Sequence, residues 1–476
     1  MRFIHGLWII FLIAFYSIIF AQSNDGWVNI DSLHEGRRKH ASVLLPNGNV
    51  LVGGGEGTSI LASCEIYEVN NGKWRYTNRM NIPRAYHDML LLRTGKILAI
   101  GGFNERSCEL FDPVTETWTL TDSIPTLRFF GQSITELKDG RILVSGGYIL
   151  SNDGNFEEYL SVCEIYDPVT EKWLPAASLN IGRYNHTATL LSSGEVLIAG
   201  GSAKTVGALR SCEIYNPANN TWFITASLNE PRSNAASILL PNDNVFISGG
   251  DSTGVNTIPM EKSCEVFDIK KSVWFYAENM MDRRTGHQIY NMEKTNQLLI
   301  IGGTKFLKGK LDTWETYDPV NLKPIQNGII PVKKIYNKNT MKLKDDRIIL
   351  TGGNEYDFSV WDGMLYLWSS KSCQIFDIMT SVENHQLIHD NYTLFQNYPN
   401  PFNPTTEIKY SLSKSGITKL DIFDVLGRLV KSLVNSYQIA GSYLIQFNAE
   451  ELPSGIYLYR LLSGTYSETK KMLLVK

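Results

Sequence analysis

From Trp27 to about Ile378 the chain alternates short apolar runs with polar turns, and most runs are too short for helices. Met89-Leu-Leu-Leu leads to a turn at Gly95 and then to Ile97-Leu-Ala-Ile, which a Gly101-Gly102 doublet ends. The doublet recurs at Gly54-Gly55, Gly146-Gly147, Gly200-Gly201, Gly249-Gly250, Gly302-Gly303 and Gly352-Gly353, with a turn residue such as Gly48, Gly140, Gly194 or Asp243 shortly before it. Two strands joined by a tight hairpin fit each unit. After a connection of variable length comes a pentapeptide, Ser63-Cys-Glu-Ile-Tyr, repeated with small changes around Cys108, Cys163, Cys212, Cys264 and Cys373. Strand alternation puts Cys64 and Ile66 on one face and Glu65 and Tyr67 on the other. A turn at Asp112-Pro113, Asp167-Pro168, Asn216-Pro217 or Asp318-Pro319 follows, then a fourth strand carrying Trp74, Trp118, Trp173, Trp222 or Trp274. The pattern predicts repeats of four antiparallel strands with a period of roughly 50 residues, which signals an array of identical structural units.

Each of these tryptophans is followed ten residues later by an arginine that leads into the next repeat: Arg84, Arg128, Arg183, Arg232 and Arg284. Doublet, Tyr-Asp-Pro turn, spaced tryptophan and arginine together resemble the kelch repeat, whose sheets form the blades of a β-propeller. The resemblance covers roughly Trp27 to Ile378 and implies an all-β, seven-bladed kelch-type propeller. The doublet fits a strand that ends abruptly and lets a neighbouring blade approach, which favours residues without Cβ. Trp27 and Arg37 keep the same spacing before the first doublet, while the last pentapeptide, ending at Phe376, has Glu383 at its tryptophan position. The Trp27 strand is therefore expected to complete the last blade and close the ring, leaving no edge at the junction. The sixth repeat has Trp314 at the cysteine position and Pro324 at the tryptophan position, read as a compensating swap of bulk.

Composition changes the picture at the cysteines. Arg2, the apolar run Leu7–Phe20 and Ala21 read as a signal peptide over residues 1–21. The run falls short of the about 20 residues of a membrane span, so no stable transmembrane span is expected after cleavage. An exported chain with six cysteines suggests disulfides. Equivalent positions on packed sheets stand about 10 Å apart, however, and a disulfide needs Cα atoms about 4.4–6.8 Å apart. Reduced, buried packing residues are expected instead.

The repeated carboxylates Glu65, Glu109, Glu164, Glu213, Glu265 and Glu315 are read as structural partners of the lead-in arginines, because a buried carboxylate needs a cation or backbone donors. His40, His87, His186 and His287 sit three residues after an arginine; blades hold them too far apart for one metal ion. Some kelch-type propellers are copper oxidases resembling galactose oxidase, but Tyr86-His87 falls in the ordinary repeat register and nothing completes a copper centre. No Ser–His–Asp set or phosphate-binding loop stands elsewhere. No catalytic residue, metal or cofactor is assigned. The net charge of −3 gives no footprint for nucleic acid.

From about Asn391 the composition shifts to alternating strands between Gly and Pro turns, as in a small Ig-like β-sandwich. Asn397–Pro404, Gly427-Arg428, Ser454-Gly455-Ile456-Tyr457 and the terminal lysines closely resemble the type A C-terminal sorting domain of type IX secretion. The resemblance implies a partner, the type IX secretion machinery, acting through residues 392–476, and a protein secreted or held on the outer surface of a Gram-negative bacterium.

The organisation expected is a signal peptide over 1–21, a propeller over 22–382, a linker over 383–391 and the sorting domain over 392–476. The function expected is a binding module for an unidentified glycan or protein ligand; a secreted carbohydrate-active enzyme and a structural surface or adhesion protein are the alternatives. All the length variation falls between doublet and pentapeptide, on the face the lead-ins share, and variable loops on a rigid ring carry function. The longest such loop holds Tyr356, Phe358, Trp361, Tyr366 and Trp368, aromatics suited to sugar rings or a protein anchor. Arg84, Arg183 and Arg284 lie towards the same face, and any left unpaired would add polar contacts.

Overall fold

The computed structural model describes residues 26–150, 157–204, 206–253, 261–304, 313–330, 334–335, 340–358, 365–378, 392–412, 416–438, 441–464 and 466–476. The expected signal peptide and the linker over 383–391 lie outside them. They divide into two compact units, over Trp27–Asp377 and Ile378–Lys476. Among the described residues no helix is long and apolar enough to cross a membrane.

The first unit is a ring of seven four-stranded antiparallel sheets. Blade one runs Ala41–Leu44, Val50–Gly53, Cys64–Glu68 and Lys73–Thr77; blade two runs Asp88–Leu91, Ile97–Gly102, Glu105–Asp112 and Thr117–Thr121. Blades three to six begin at Ser133–Glu136, Thr187–Leu190, Ala236–Leu239 and Gln288–Met292. The first hairpin of each blade turns on a residue in the left-handed region: Gly48, Gly95, Gly140 and Gly194, then Asp243, Asn296 and Asp346. In blades two to six the hairpin before the fourth strand is an Asx turn, with Asp112 Oδ1 accepting from Val114 N at 2.8 Å and Asp318 Oδ1 from Val320 N at 2.8 Å.

Blade seven is Thr340–Lys342, Ile348–Thr351, Cys373–Phe376 and, from the far end of the chain, Trp27–Asn29. The last pair registers Trp27 with Phe376, the relation Trp118 has to Phe111 in blade two. Trp27 is 1% exposed and stacks on Phe376 with ring centroids 4.8 Å apart. The ring is therefore closed by its own N-terminal strand.

The pentapeptide faces two blades at once. Cys64 and Ile66 cluster with Ile97, Ala99 and Phe111 of blade two, while Tyr67 clusters with Ile349, Cys373 and Ile375 of blade seven. All six cysteines are free and buried, and burial pushes the Cys64, Cys163, Cys212 and Cys264 thiols up to about 12. They act as small packing residues, inert until the fold opens. Unfolded without reductant, the protein should titrate six thiols; a mapped disulfide between any two would contradict the packing role.

Five of the seven glycine doublets do what the close approach demands. A Cβ on Gly54 would stand 2.4 Å from the Arg84 carbonyl of the next blade, and one on Gly200 2.3 Å from the Arg232 carbonyl. The second glycine then donates its N–H to that same carbonyl, Gly55 N to Arg84 O and Gly201 N to Arg232 O, both at 2.7 Å. A side chain at the first glycine would thus push neighbouring blades apart.

Blade six corrects the expected swap of bulk. The cysteine side of a blade faces the next blade and the tryptophan side faces the previous one, so Trp314 does not fill space left by Pro324. Its room comes from its cross-strand partner. Trp314 registers with Gly328, where other blades place Thr77 or Ala277, and a Cβ on Gly328 would lie 2.5 Å from the indole. The fully buried ring then meets Phe376 of blade seven at 4.9 Å.

The second unit is a β-sandwich of a three-stranded sheet, Thr393–Leu394, Thr405–Leu412 and Gly441–Asn448, and a four-stranded sheet, Leu429–Gln438, Gly416–Asp424, Gly455–Ser463 and Tyr466–Leu474. Inward-facing Ile408, Tyr410, Leu420, Ile422, Tyr459 and Leu461 form its core. The residues singled out as its signature grip the final strand. Phe402 N donates to Leu473 O and Val475 N to Phe402 O, each at 3.0 Å, while Leu473 N donates to Asn400 Oδ1 at 2.9 Å. Asn397, 2% exposed, donates from Nδ2 to Pro399 O at 3.0 Å and to Thr406 Oγ1 at 2.9 Å. At the other end Lys476 N donates to Ser454 Oγ at 3.0 Å.

Candidate binding site at the channel mouth

Blades one to six are each preceded by a lead-in that crosses from the neighbouring blade, and the lead-in arginine decides the local structure. Arg37, Arg84, Arg183, Arg232 and Arg284 pair through Nη2 with Glu65, Glu109, Glu213, Glu265 and Glu315 at 2.6–3.0 Å. Nη1 of Arg84 donates to Gly101 O at 2.9 Å, and Nη2 to Ser107 Oγ at 2.8 Å, so the pentapeptide serine is a ligand of the arginine. The carboxylate is completed by backbone donors: Asn81 N and Ile82 N reach Glu109 at 2.8 and 3.1 Å. Blade three has Val162 in place of the serine, and there Arg128 turns its Nε to Gly146 O at 2.9 Å while still pairing with Glu164. This corrects the expectation for Arg84, Arg183 and Arg284. They are 0–1% exposed and held in ion pairs, so they fasten the lead-ins and offer nothing to a ligand.

The histidines tie blades together. His186 Nε2 meets Ser145 Oγ of blade three at 3.0 Å, His287 Nε2 meets Ser248 Oγ of blade five at 2.8 Å, and His40 Nε2 meets Thr351 Oγ1 of blade seven at 3.0 Å. For His87 the corresponding position of blade one is Gly53, which has no hydroxyl, and both His87 ring nitrogens lack a hydrogen-bond partner. Burial, reinforced by Arg84 and Arg183, holds His87 and His186 down to about 3, and burial holds His287 well below the usual range. They are neutral at physiological pH. Among the described residues no three His, Cys, Asp or Glu side chains gather as a metal site. Tyr86 and His87 diverge: the histidine packs on Gly54 while the tyrosine ring lies 6.0 Å from Phe103.

Beyond each arginine one residue adopts the left-handed conformation: Lys39 (φ 53°), Tyr86 (58°), Gly131 (76°), Asn185 (53°), Asn234 (55°) and Gly286 (65°). Their backbones are linked from blade to blade. Tyr86 N donates to Lys39 O at 3.0 Å, Asn185 N to Gly131 O at 2.7 Å, Asn234 N to Asn185 O at 2.8 Å and Gly286 N to Asn234 O at 2.7 Å. These residues rim a cavity of about 760 Å³ at the end of the central channel. The first strands line it below, and Gln132 Nε2 there donates to Asp88 Oδ2 at 2.8 Å. The doublet connections share this face, because Phe130 bridges Tyr148, Tyr184 bridges Ser202 and Ser233 bridges Asp251.

Of the aromatic candidates, Tyr356 and Phe358 stand on the strand Asn354–Phe358, and Tyr366 and Trp368 on its partner Leu365–Ser369. Glu355 registers with Trp368 and Asp357 with Tyr366, which puts positions 356 and 358 on one face of the ribbon and 366 and 368 on the other. Trp361 lies outside the described residues. A second aromatic group, not singled out from sequence, borders the cavity on blades two to four: Phe103, Phe129, Tyr148, Tyr159 and Tyr184 around Tyr86 and Phe130. The signal was present as Phe129-Phe130 directly after Arg128 and Tyr184 directly after Arg183.

Residues 137–180, which hold the last three strands of blade three, match the kelch motif, and residues 396–476 match the secretion system C-terminal sorting domain. The chain is a seven-bladed β-propeller that carries a kelch motif, followed by a type IX sorting domain. Kelch-like protein 15 of Homo sapiens is 24% identical over 197 residues, 37% of this chain and 32% of that protein. Kelch-like protein 24 of Rattus norvegicus is 32% identical over 149 residues, 29% of this chain and 23% of that protein. The chain thus matches about a third or less of the length of these curated relatives. A solved fungal alcohol oxidase in complex with copper shares the fold with TM-score 0.60 at 14% identity, covering 95% of this chain and 100% of that one. That likeness concerns the fold. The sorting domain indicates export by type IX secretion and engagement with its machinery.

Proposed function

We propose that the protein is a binding module exported by its tail, secreted or held at the cell surface, which takes a glycan or protein ligand at the mouth of the propeller channel. The observation that supports this reading is the cavity of about 760 Å³, a volume usual for ligand sites, on the face where lead-ins and variable connections meet. The buried Arg–Glu pairs and backbone links make its rim rigid, so little ordering entropy is lost on binding. The fungal oxidase lends no activity, since one fold hosts many chemistries.

Ala236→Trp, which fills the cavity from the first strand of blade five, tests the site. The immobilised chain should retain a component of the producing bacterium's extracellular material, and the variant should retain several-fold less. Equal retention by both would contradict a site at the channel mouth. Removal of residues 392–476 should leave the protein in the periplasm; unchanged appearance outside the cell would contradict export through the tail.

A further inference from the structure

The aromatic group at the channel mouth is a continuous belt. Phe103 lies edge-on to Phe129 at 4.8 Å and 6.0 Å from Tyr86; Phe130 lies 6.3 Å from Tyr86 and 5.2 Å from Tyr148. Its members differ in exposure. Tyr148 is 8% exposed and supports the belt from below, whereas Phe103 and Phe130 are 49% and 39% exposed. Tyr86 and Phe130 belong to both belt and cavity wall, so the two form one surface.

We infer that this surface binds a neutral polysaccharide, with sugar rings stacked on Phe103 and Phe130 and hydroxyls hydrogen-bonded inside the cavity. The inference rests on the binding-module reading and names the ligand of that same site. A pyranose ring has an apolar C–H face and a polar edge, so it suits a flat aromatic belt that runs into a polar hollow. The hollow supplies uncharged groups in both hydrogen-bonding senses, among them Gln132, Asn185, Asn234 and Gln288. Besides histidine and tyrosine, Lys39 and Asp88 are the ionisable base and acid among the described lining residues; Lys39 lies 4.9 Å from the Tyr86 ring centre and Asp88 accepts from Gln132. A polyanion would call for exposed cations, and a protein partner would favour arginine beside the aromatics. The described lead-in arginines are locked in buried pairs below the rim. Export places this surface where extracellular polysaccharide is met.

Calorimetric titration of the full chain with neutral hexasaccharides of glucan, xylan and mannan type, beside sulfated and uronic-acid oligosaccharides, tests the inference. At least one neutral hexamer should bind. Phe103→Ala and Phe130→Ala should each weaken it about fivefold or more, the effect expected of a stacking anchor. Phe275→Ala, an equally exposed ring on the outer strand of blade five, should leave it unchanged, and melting temperatures should stay at the wild-type value. Binding of charged oligosaccharides alone, no binding of any hexamer, or neutral binding indifferent to both belt substitutions would overturn the inference. Such a failure beside an Ala236→Trp effect on retained extracellular material would leave the binding-module reading standing and reject the ligand class.

Discussion

Glu109→Ala should destabilise the propeller by about 3–5 kcal/mol, the usual cost of removing one partner from a buried ion pair. Arg84 and Glu109 both have fully buried side chains and pair at 2.9 Å. Truncating the glutamate strands a guanidinium away from water and frees the donors Asn81 N, Asn81 Nδ2 and Ile82 N at 2.8, 2.7 and 3.1 Å. Their desolvation, rather than the attraction lost, makes the effect large. Glu68→Ala is the comparison. Glu68 pairs with Arg75 at 2.7 Å, but these side chains are 31% and 41% exposed, and a pair so open to water contributes little. Calorimetry should therefore find Glu109→Ala melting roughly 10 °C below the wild type and Glu68→Ala within about 2 °C of it. Equal small shifts would mean that the repeated Arg–Glu pairs do not hold the lead-ins.

Deleting Trp27–Leu33 should cost more still. The segment supplies the outer strand of blade seven, buries Trp27 against Phe376 at 4.8 Å and ties Leu33 N to Lys371 O at 2.8 Å. Loss of the tryptophan side chain alone is expected to cost about 3–5 kcal/mol. The deletion also bares the Cys373–Phe376 strand as an unpaired edge, a template for self-association. The truncated protein should unfold well below Glu109→Ala and sediment partly as oligomers. A wild-type melting temperature would contradict closure by this strand.

The propeller was legible because repetition turns weak local signals into strong ones. One Gly-Gly is ambiguous, but seven doublets in step with a pentapeptide and a tryptophan gave the blades, the hairpins and the closing Trp27 strand. The free cysteines were legible from the distance between blades. Blade six was misread because spacing alone does not say which face a position serves; Gly328 carried the answer and breaks no repeat landmark. The arginines were misassigned for a similar reason. A lead-in near the channel mouth looks accessible from its place in the chain, yet the guanidinium turns inward to Glu109 and Ser107. The aromatic belt was missed because its members come from different blades and meet only when the ring closes. Phe103, Phe130 and Tyr184 are far apart in sequence, whereas the long loop after Gly353 advertises its aromatics in one stretch.

Mass-spectrometric footprinting of the full chain by hydroxyl radicals, with and without a saturating ligand found in the extracellular material, tests the central claim most directly. Protection is predicted on the lead-ins over 84–88 and 128–134 and at Phe103, the rim and belt of the channel mouth. Protection confined to the paired strands over 354–358 and 365–369, or to the outer strands bearing Phe223 and Phe275, would contradict a binding site at the channel mouth.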